Sequence, residues 1–230
     1  MKYHCEICSY IYDSKQGDPE QNIAAATDLE DLPSAWVCPQ CGVGKENFYP
    51  MSEDSPVPPG EAPQNIMIMA LTQSLWQICG RGSCAVTREI GKLFITQLKS
   101  QGITLDNKEH ALEMVKDYFI QANKFARALD YEIKEDTVEM EVKNCRFFST
   151  CSKLEDQSVL ITTCPYSNTA AAALEEVSGF RYRIEKTQKD FGHHIILTPI
   201  SEINRERTTK IKNKIKKLNE MAEEEFNHFI

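Results

Sequence analysis

Cys5-Glu6-Ile7-Cys8 and Cys38-Pro39-Gln40-Cys41 are two C-x-x-C knuckles separated by a long loop. Each knuckle can wrap two thiolates round one ion, with backbone N–H groups turned toward the sulfurs. Two knuckles together make a tetrahedral four-sulfur site, which suits zinc or iron. Spacing alone does not choose between an electron-carrying iron and a structural zinc ribbon. The chain has nine cysteines, an odd number, and its first residues, Met1-Lys2-Tyr3-His4-Cys5, show no long apolar secretory run. That combination argues for metal or redox chemistry in the cytoplasm rather than a disulfide framework. No apolar stretch approaches the about 18 residues a membrane span needs, so no membrane partner is expected.

The residues around the knuckles narrow the choice. Tyr3-His4-Cys5, then Ser9-Tyr10-Ile11-Tyr12-Asp13, Gly17-Asp18-Pro19, and Glu30-Asp31-Leu32-Pro33-Ser34-Ala35-Trp36-Val37 lead into Cys38, and Gly42-Val43-Gly44-Lys45 follows Cys41. Over residues 1–50 this pattern closely resembles rubredoxin. The resemblance implies one mononuclear iron held by Cys5, Cys8, Cys38 and Cys41, cycling between ferric and ferrous states in one-electron transport. It also implies a small aromatic core of Tyr10, Tyr12, Trp36 and Phe48 beside the metal. Four thiolates stabilise the ferric ion, while N–H···S bonds and burial set the cost of the added charge on reduction. Two positions depart from the family pattern. Ser9 stands where glycine is usual, which strains the backbone if φ is positive there, and Leu29 stands where an aromatic is common.

The net charge of −8 is concentrated at this end. Residues 1–51 hold three lysines against eight acidic residues, residues 52–64 add three acids, and the rest cancels. An acidic module suits docking on a redox partner protein with a basic face, and does not suit nucleic acid. Five prolines between Pro50 and Pro63 mark residues 52–64 as an extended spacer. The expected organisation is therefore a rubredoxin-like domain at 1–51, the Pro-rich linker, a larger domain at 65–200, and a C-terminal amphipathic helix at 201–230.

The larger domain reads as α+β, with helices leading and an antiparallel sheet following. Ile66 to about Cys79 is a helix ending at Gly80-Arg81-Gly82. Ser83 is placed as the cap of a second helix, stopped by Gly102, and Asp106 as the opening of a third that runs through Ala111, Val115, Phe119, Ala122 and Ala126. Val138, Met140 and Val142 alternate as a strand, and Val159-Leu160-Ile161 reads as another. Pro165 starts a helix ending at Gly179, and Phe180, Tyr182 and Ile184, then Ile195 and Leu197, alternate as strands. In the tail, Ile211, Ile215, Leu218 and Ala222 keep a 4-3-4 spacing, consistent with a helix lying on its own domain or pairing two chains in a homodimer.

Five further cysteines lie here. Cys79 and Cys84 flank the Gly80-Arg81-Gly82 turn. Cys145 follows a strand, Cys151 is placed in the next loop, and Cys164 precedes Pro165 at a helix start, where the helix dipole favours a thiolate. Cys145, Cys151 and Cys164 form a candidate partial set for a second metal or Fe–S cluster, with Cys79, Cys84, His193 or His194 as the further ligand. Adjacent strand residues face opposite ways, so only one of the two histidines can point inward. Redox-switch thiols and buried core filler remain the alternatives.

Residues 65–200 also resemble, distantly, the 4-vinyl reductase domain, through the Asn144-Cys145 step and a helix opened by Cys164 and closed by Gly179. That resemblance implies a small-molecule sensory role; Gln188 and the His193-His194 pair stand where relatives often carry a closing cysteine. No phosphate-binding glycine loop, H-E-x-x-H or G-x-S-x-G is present. Three functions stay open: an electron-transfer protein with a second centre, a redox or oxygen sensor, and an enzyme with a built-in rubredoxin donor acting on a small-molecule ligand.

Overall fold

A computed structural model describes residues 1–51, 63–135 and 137–203. Most of the Pro-rich linker and the expected C-terminal amphipathic helix lie outside the described residues.

The first 51 residues build a three-stranded antiparallel sheet of order β2-β1-β3, with β1 at Lys2–Cys5, β2 at Ile11–Asp13 and β3 at Phe48–Pro50. So short a sheet buries little apolar surface, and the module's core is the four knuckle cysteines plus Tyr12, Trp36, Leu32 and Phe48. The aromatic rings pack closely, Trp36 meeting Phe48 edge to face at 5.2 Å and Tyr12 at a tilt at 5.4 Å. Trp36 donates its indole N–H to Asp18 over 2.9 Å, so its one polar atom is satisfied inside.

The larger unit opens with α1 (Pro63–Cys79) and α2 (Ser83–Ser100), joined by one tight turn at Gly80–Gly82. Pro63, assigned to the linker on sequence, is the first residue of α1, a position where its missing N–H costs nothing. Ser83 is the first helical residue rather than the cap, and its hydroxyl donates to the Gly80 carbonyl. The third helix, α3, spans Lys108–Lys116 and is capped by Asn107, whose side chain accepts from the His110 N–H, not by Asp106. One wide turn, Asp117–Ala122, then ends the helical run, and Ala126 begins strand β4 (Ala126–Ile133) instead of continuing the helix. The Ala122–Ala126 step fits helical spacing, but Ala126 pairs with Cys145 across the sheet.

Strands β4, β5 (Val138–Cys145), β6 (Phe180–Lys189) and β7 (Gly192–Glu202) form one antiparallel sheet of order β4-β5-β7-β6. Val138, Met140 and Val142 point into the core, as their alternation predicts. Cys145 is the last residue of β5. Cys151, expected in a loop, lies on α4 (Phe148–Asp156), a helix whose short apolar pattern the sequence hides among Ser and Thr. Val159-Leu160-Ile161 is not a strand: the Val159 N–H closes α4 on the Leu154 carbonyl, and the segment pairs with no strand.

At the centre lies α5 (Pro165–Ser178), buried continuously from Tyr166 to Glu175 between α2, α3 and the sheet. Its run of alanines lets neighbours approach closely. Gly91 of α2 does so most, because a Cβ there would collide with the Asn168 carbonyl of α5. The one buried carboxylate of α5, Glu175, pairs with Arg88 at 3.5 Å and accepts the Tyr182 N–H.

Candidate metal centre

Cys5 ends β1, Cys8 follows in a turn, and Cys38 and Cys41 come from the loop between Trp36 and β3. The two knuckles repeat one backbone pattern. The Ser9 N–H donates to the Cys5 carbonyl at 2.9 Å, and the Gly42 N–H donates to the Cys38 carbonyl at 2.8 Å. Cys5 N–H reaches Tyr10 and Cys38 N–H reaches Val43 in the same way. Both turns need a left-handed residue, and it is Ser9 (φ 64°) in the first and Gly42 (φ 71°) in the second. The departure noted at Ser9 is therefore a strained position.

All four Sγ atoms lie within 4.8 Å of one another, and all four cysteines are buried. Cys5 and Cys41 sulfurs are 3.7 Å apart, Cys8 and Cys38 sulfurs 3.5 Å. An ion with sulfur bonds of about 2.3 Å at the centre of a tetrahedron requires edges of about 3.8 Å. The observed edges match, so the residues fit one mononuclear thiolate-bound ion. Four buried sulfurs this close together repel one another as thiolates, and burial adds to the cost of ionising them. A bound cation resolves that conflict, because every thiolate then faces positive charge. Tyr10, beside the knuckles, is pushed up to about 12 by burial and by Asp18, so it stays a neutral wall.

The larger unit meets the knuckles directly. Asn144, itself left-handed at φ 51°, donates its side-chain N–H to the Cys41 carbonyl over 3.0 Å. The Phe191 ring lies against Gly42, where a Cβ would collide with it. Lys124 pairs with Glu6 of the first knuckle. Sequence reasoning named Asn144 only for the step into Cys145 and did not mark Lys124 or Phe191, since nothing local marks a contact across more than a hundred positions.

Cys145, Cys151, Cys164 and His193 line one small cavity of about 10 Å³ together with Tyr166 and Lys186. Of the two histidines it is His193 that turns inward; His194 faces outward and lies 3.6 Å from Glu139. Cys79 and Cys84 are exposed, and neither lines that cavity. Burial pushes the Cys145 thiol up to about 12 and raises Cys151. His193 is held down to about 3 by burial and by Lys186. Lys186 Nζ lies 3.5 Å from Cys151 Sγ, and Cys145 Sγ lies 3.6 Å from the Tyr166 hydroxyl. Among the described residues, the four cysteines of the knuckles are the group whose donor atoms all lie within 4.8 Å. Lys186 was legible in principle, since it continues the inward alternation of Tyr182 and Ile184. Beside this cavity, and sharing Lys186 and Ile161 with it, is a pocket of about 410 Å³ lined also by Arg88, Thr162, Asn168 and Tyr182.

Comparison with known proteins finds two family models along the chain. Residues 2–48 match the family model described as "Rubredoxin", and residues 64–203 match "Putative rubredoxin C-terminal domain". The 4-vinyl reductase resemblance finds no support among these matches. A "Putative rubredoxin" of Methanothermobacter thermautotrophicus is 38% identical over 199 residues, covering 86% of this chain and 98% of that protein. The "High molecular weight rubredoxin" of Moorella thermoacetica is 57% identical over 47 residues, 20% of each chain. "Rubredoxin-2" of Chlorobaculum tepidum is 53% identical over 47 residues, 20% of this chain and 90% of that one. With the knuckle geometry, these matches identify the four-cysteine centre as a mononuclear iron site serving electron transfer to redox partners. The C-terminal match spans more than half of the chain and the first relative is matched almost end to end, so this chain belongs to the rubredoxin family, in the group that carries this C-terminal domain.

Proposed function

We propose that the protein is a two-centre electron carrier in the cytoplasm, with the rubredoxin iron in residues 1–51 and a second metal or Fe–S site in the domain of residues 65–200. The observation that carries this reading is the convergence of Cys145, Cys151, Cys164 and His193 on one buried cavity from four different elements. Lys186 beside them supplies a cation that offsets the negative charge of bound thiolates. The iron supplies a one-electron couple. Cys5, Cys8, Cys38 and Cys41 hold it in a rigid, buried cage, and the surrounding rings exclude water. No helix among the described residues is long and apolar enough to cross a membrane. The acidic module suits a basic external partner, and the spacing of Ile211, Ile215, Leu218 and Ala222 in the sequence suits a homodimer contact.

Metal and acid-labile sulfide analysis of the anaerobically purified full-length protein tests the reading. More than one metal per chain, falling to one in a Cys145→Ser/Cys151→Ser/Cys164→Ser variant with its rubredoxin bands intact, supports it. One iron per chain in both proteins removes the second site. A second reading, favoured by the pocket of about 410 Å³ that shares Lys186 with the thiol cavity, is a sensor or an enzyme using the rubredoxin as built-in donor to a small-molecule ligand. It requires reoxidation of the reduced iron that depends on the added small molecule.

A further inference from the structure

We propose that a groove between α1, α2, the start of β4 and the end of β5 binds a small carboxylic acid with an apolar body, and that Arg146 holds its carboxylate. The groove encloses about 430 Å³, within the range of small-molecule sites. Ile68 and Leu71 come from α1, Ile90 and Phe94 from α2, and Phe125 and Phe147 from the segments that flank β4 and β5. It shares no lining residue with the pocket of about 410 Å³ that contains Lys186, and it does not depend on any metal in the larger unit.

The lining is apolar apart from Gln64, Thr163 and Arg146. Thr163 is already engaged: its hydroxyl meets that of Thr72, whose own proton goes to the Ile68 carbonyl over 2.7 Å. Gln64 is neutral, so Arg146 is the one charge in the lining. Its guanidinium stands over the Phe125 ring at 5.1 Å and the Phe147 ring at 5.8 Å. Those two rings are themselves packed at 5.5 Å, and Phe125 also meets Phe119 and Tyr166 in the core. The Arg146 backbone N–H is fastened to the Phe125 carbonyl at 2.9 Å. The guanidinium is therefore held in place before any ligand arrives. Among the described residues no carboxylate pairs with it, and its Nε is buried with no hydrogen-bond partner. Arg88 of the same unit, by contrast, has Glu175 beside it. A buried donor left open is costly, and a ligand oxygen removes that cost.

The chemistry of the ligand follows from the two kinds of surface. Stacking occupies the face of the guanidinium and leaves its N–H edge for two coplanar oxygens, the geometry of a carboxylate. The rest of the molecule must be apolar. Helix α1 carries no charged residue over its 17 positions, so a body lying along it meets only hydrocarbon and neutral polar groups. A sugar or a second anionic group would lose its hydration there without a partner. An amine would meet like charge. Binding forms and breaks no covalent bond.

The test is isothermal titration calorimetry of the full-length, iron-loaded protein with octanoate, phenylbutyrate, octanol and octylamine. At least one of the two acids is expected to bind the wild-type protein, with octanol and octylamine at least about tenfold weaker. In Arg146→Gln the acid is expected to lose at least about tenfold in affinity while octanol is unchanged. Arg146→Lys, which keeps the charge but not the fork, should fall between. Leu71→Trp fills the groove from an exposed position and is expected to abolish binding. Retained visible iron bands and far-ultraviolet circular dichroism show that each variant is folded. No binding of either acid to the wild-type protein overturns the proposal. Equal affinity for acid and octanol in the wild-type protein overturns the role of Arg146, whether or not its variants fold. Undiminished binding in Leu71→Trp places the acid elsewhere and overturns the groove. Binding that appears only in Glu61→Gln assigns the guanidinium to the chain's own carboxylate, three positions before Gln64, and overturns the ligand.

Discussion

Ser9 holds a left-handed backbone at φ 64° in the first knuckle, where the matching residue of the second is Gly42. A side chain in that region costs about 1–2 kcal/mol, from contact between Cβ and the following carbonyl oxygen. Ser9→Gly is therefore expected to stabilise the iron module by about 1 kcal/mol. The check is the temperature at which the visible iron bands are lost. The serine was readable as a departure, and its strain followed once the turn was known to need positive φ. Tyr131 shows a residue-scale effect with a pH signature. Burial, then its hydrogen bond to Glu113 at 3.0 Å, pushes the phenol up to about 12 from an ordinary value of 10.0. The folded state resists ionising a group that the unfolded chain ionises first. Its stability contribution is fully present below pH 10 and is lost as pH rises through 12. Thermal melts followed by circular dichroism should lose midpoint across that window, and Tyr131→Phe should flatten the fall.

At the scale of elements, the helix pair α2 and α5 is set by Gly91. A methyl group there meets the Asn168 carbonyl at the start of α5, which is itself fastened by its amide to the Thr162 and Cys164 carbonyls. Neither partner yields easily. Gly91→Ala is expected to cost about 1–3 kcal/mol despite the better helix propensity of alanine, a fall of about 2–12 °C in melting temperature. An unchanged or higher midpoint would show that the helices can separate freely. Helix ends marked by glycine, Gly102 and Gly179, were legible because the left-handed stop is a local property. Strand β4 was not. Its residues carry enough helical spacing to continue α3, and only pairing with β5 decides between the two states. The Val159-Leu160-Ile161 run failed for the same reason in reverse: it has β-branched residues but no partner strand.

For the molecule as a whole, two separate cores have different sources of stability. The first 51 residues pack around the cysteines, and the larger unit packs α5 against the sheet with an apolar cluster of its own. Removing the iron with acid and chelator is expected to abolish the near-ultraviolet signal of the Trp36 environment while the larger unit keeps a cooperative transition of its own. A single shared transition, with and without iron, would contradict that independence. The proline run, the acidic charge of one end and the two knuckles pointed to a separate core at that end, and the buried residues fall into two clusters. The four-cysteine centre was legible too, because a metal site made by two local turns is encoded within a few residues of each ligand. The second group of thiols was legible only as a set of candidates. Cys145, Cys151 and Cys164 are far apart in sequence, and the arrangement of α4, α5, β5 and β7 brought them and His193 to one cavity while leaving Cys79, Cys84 and His194 outside. The seating of the iron knuckles on Asn144 and Phe191 was likewise decided by tertiary structure, since local turns and periodicities carry no information about which distant surfaces meet.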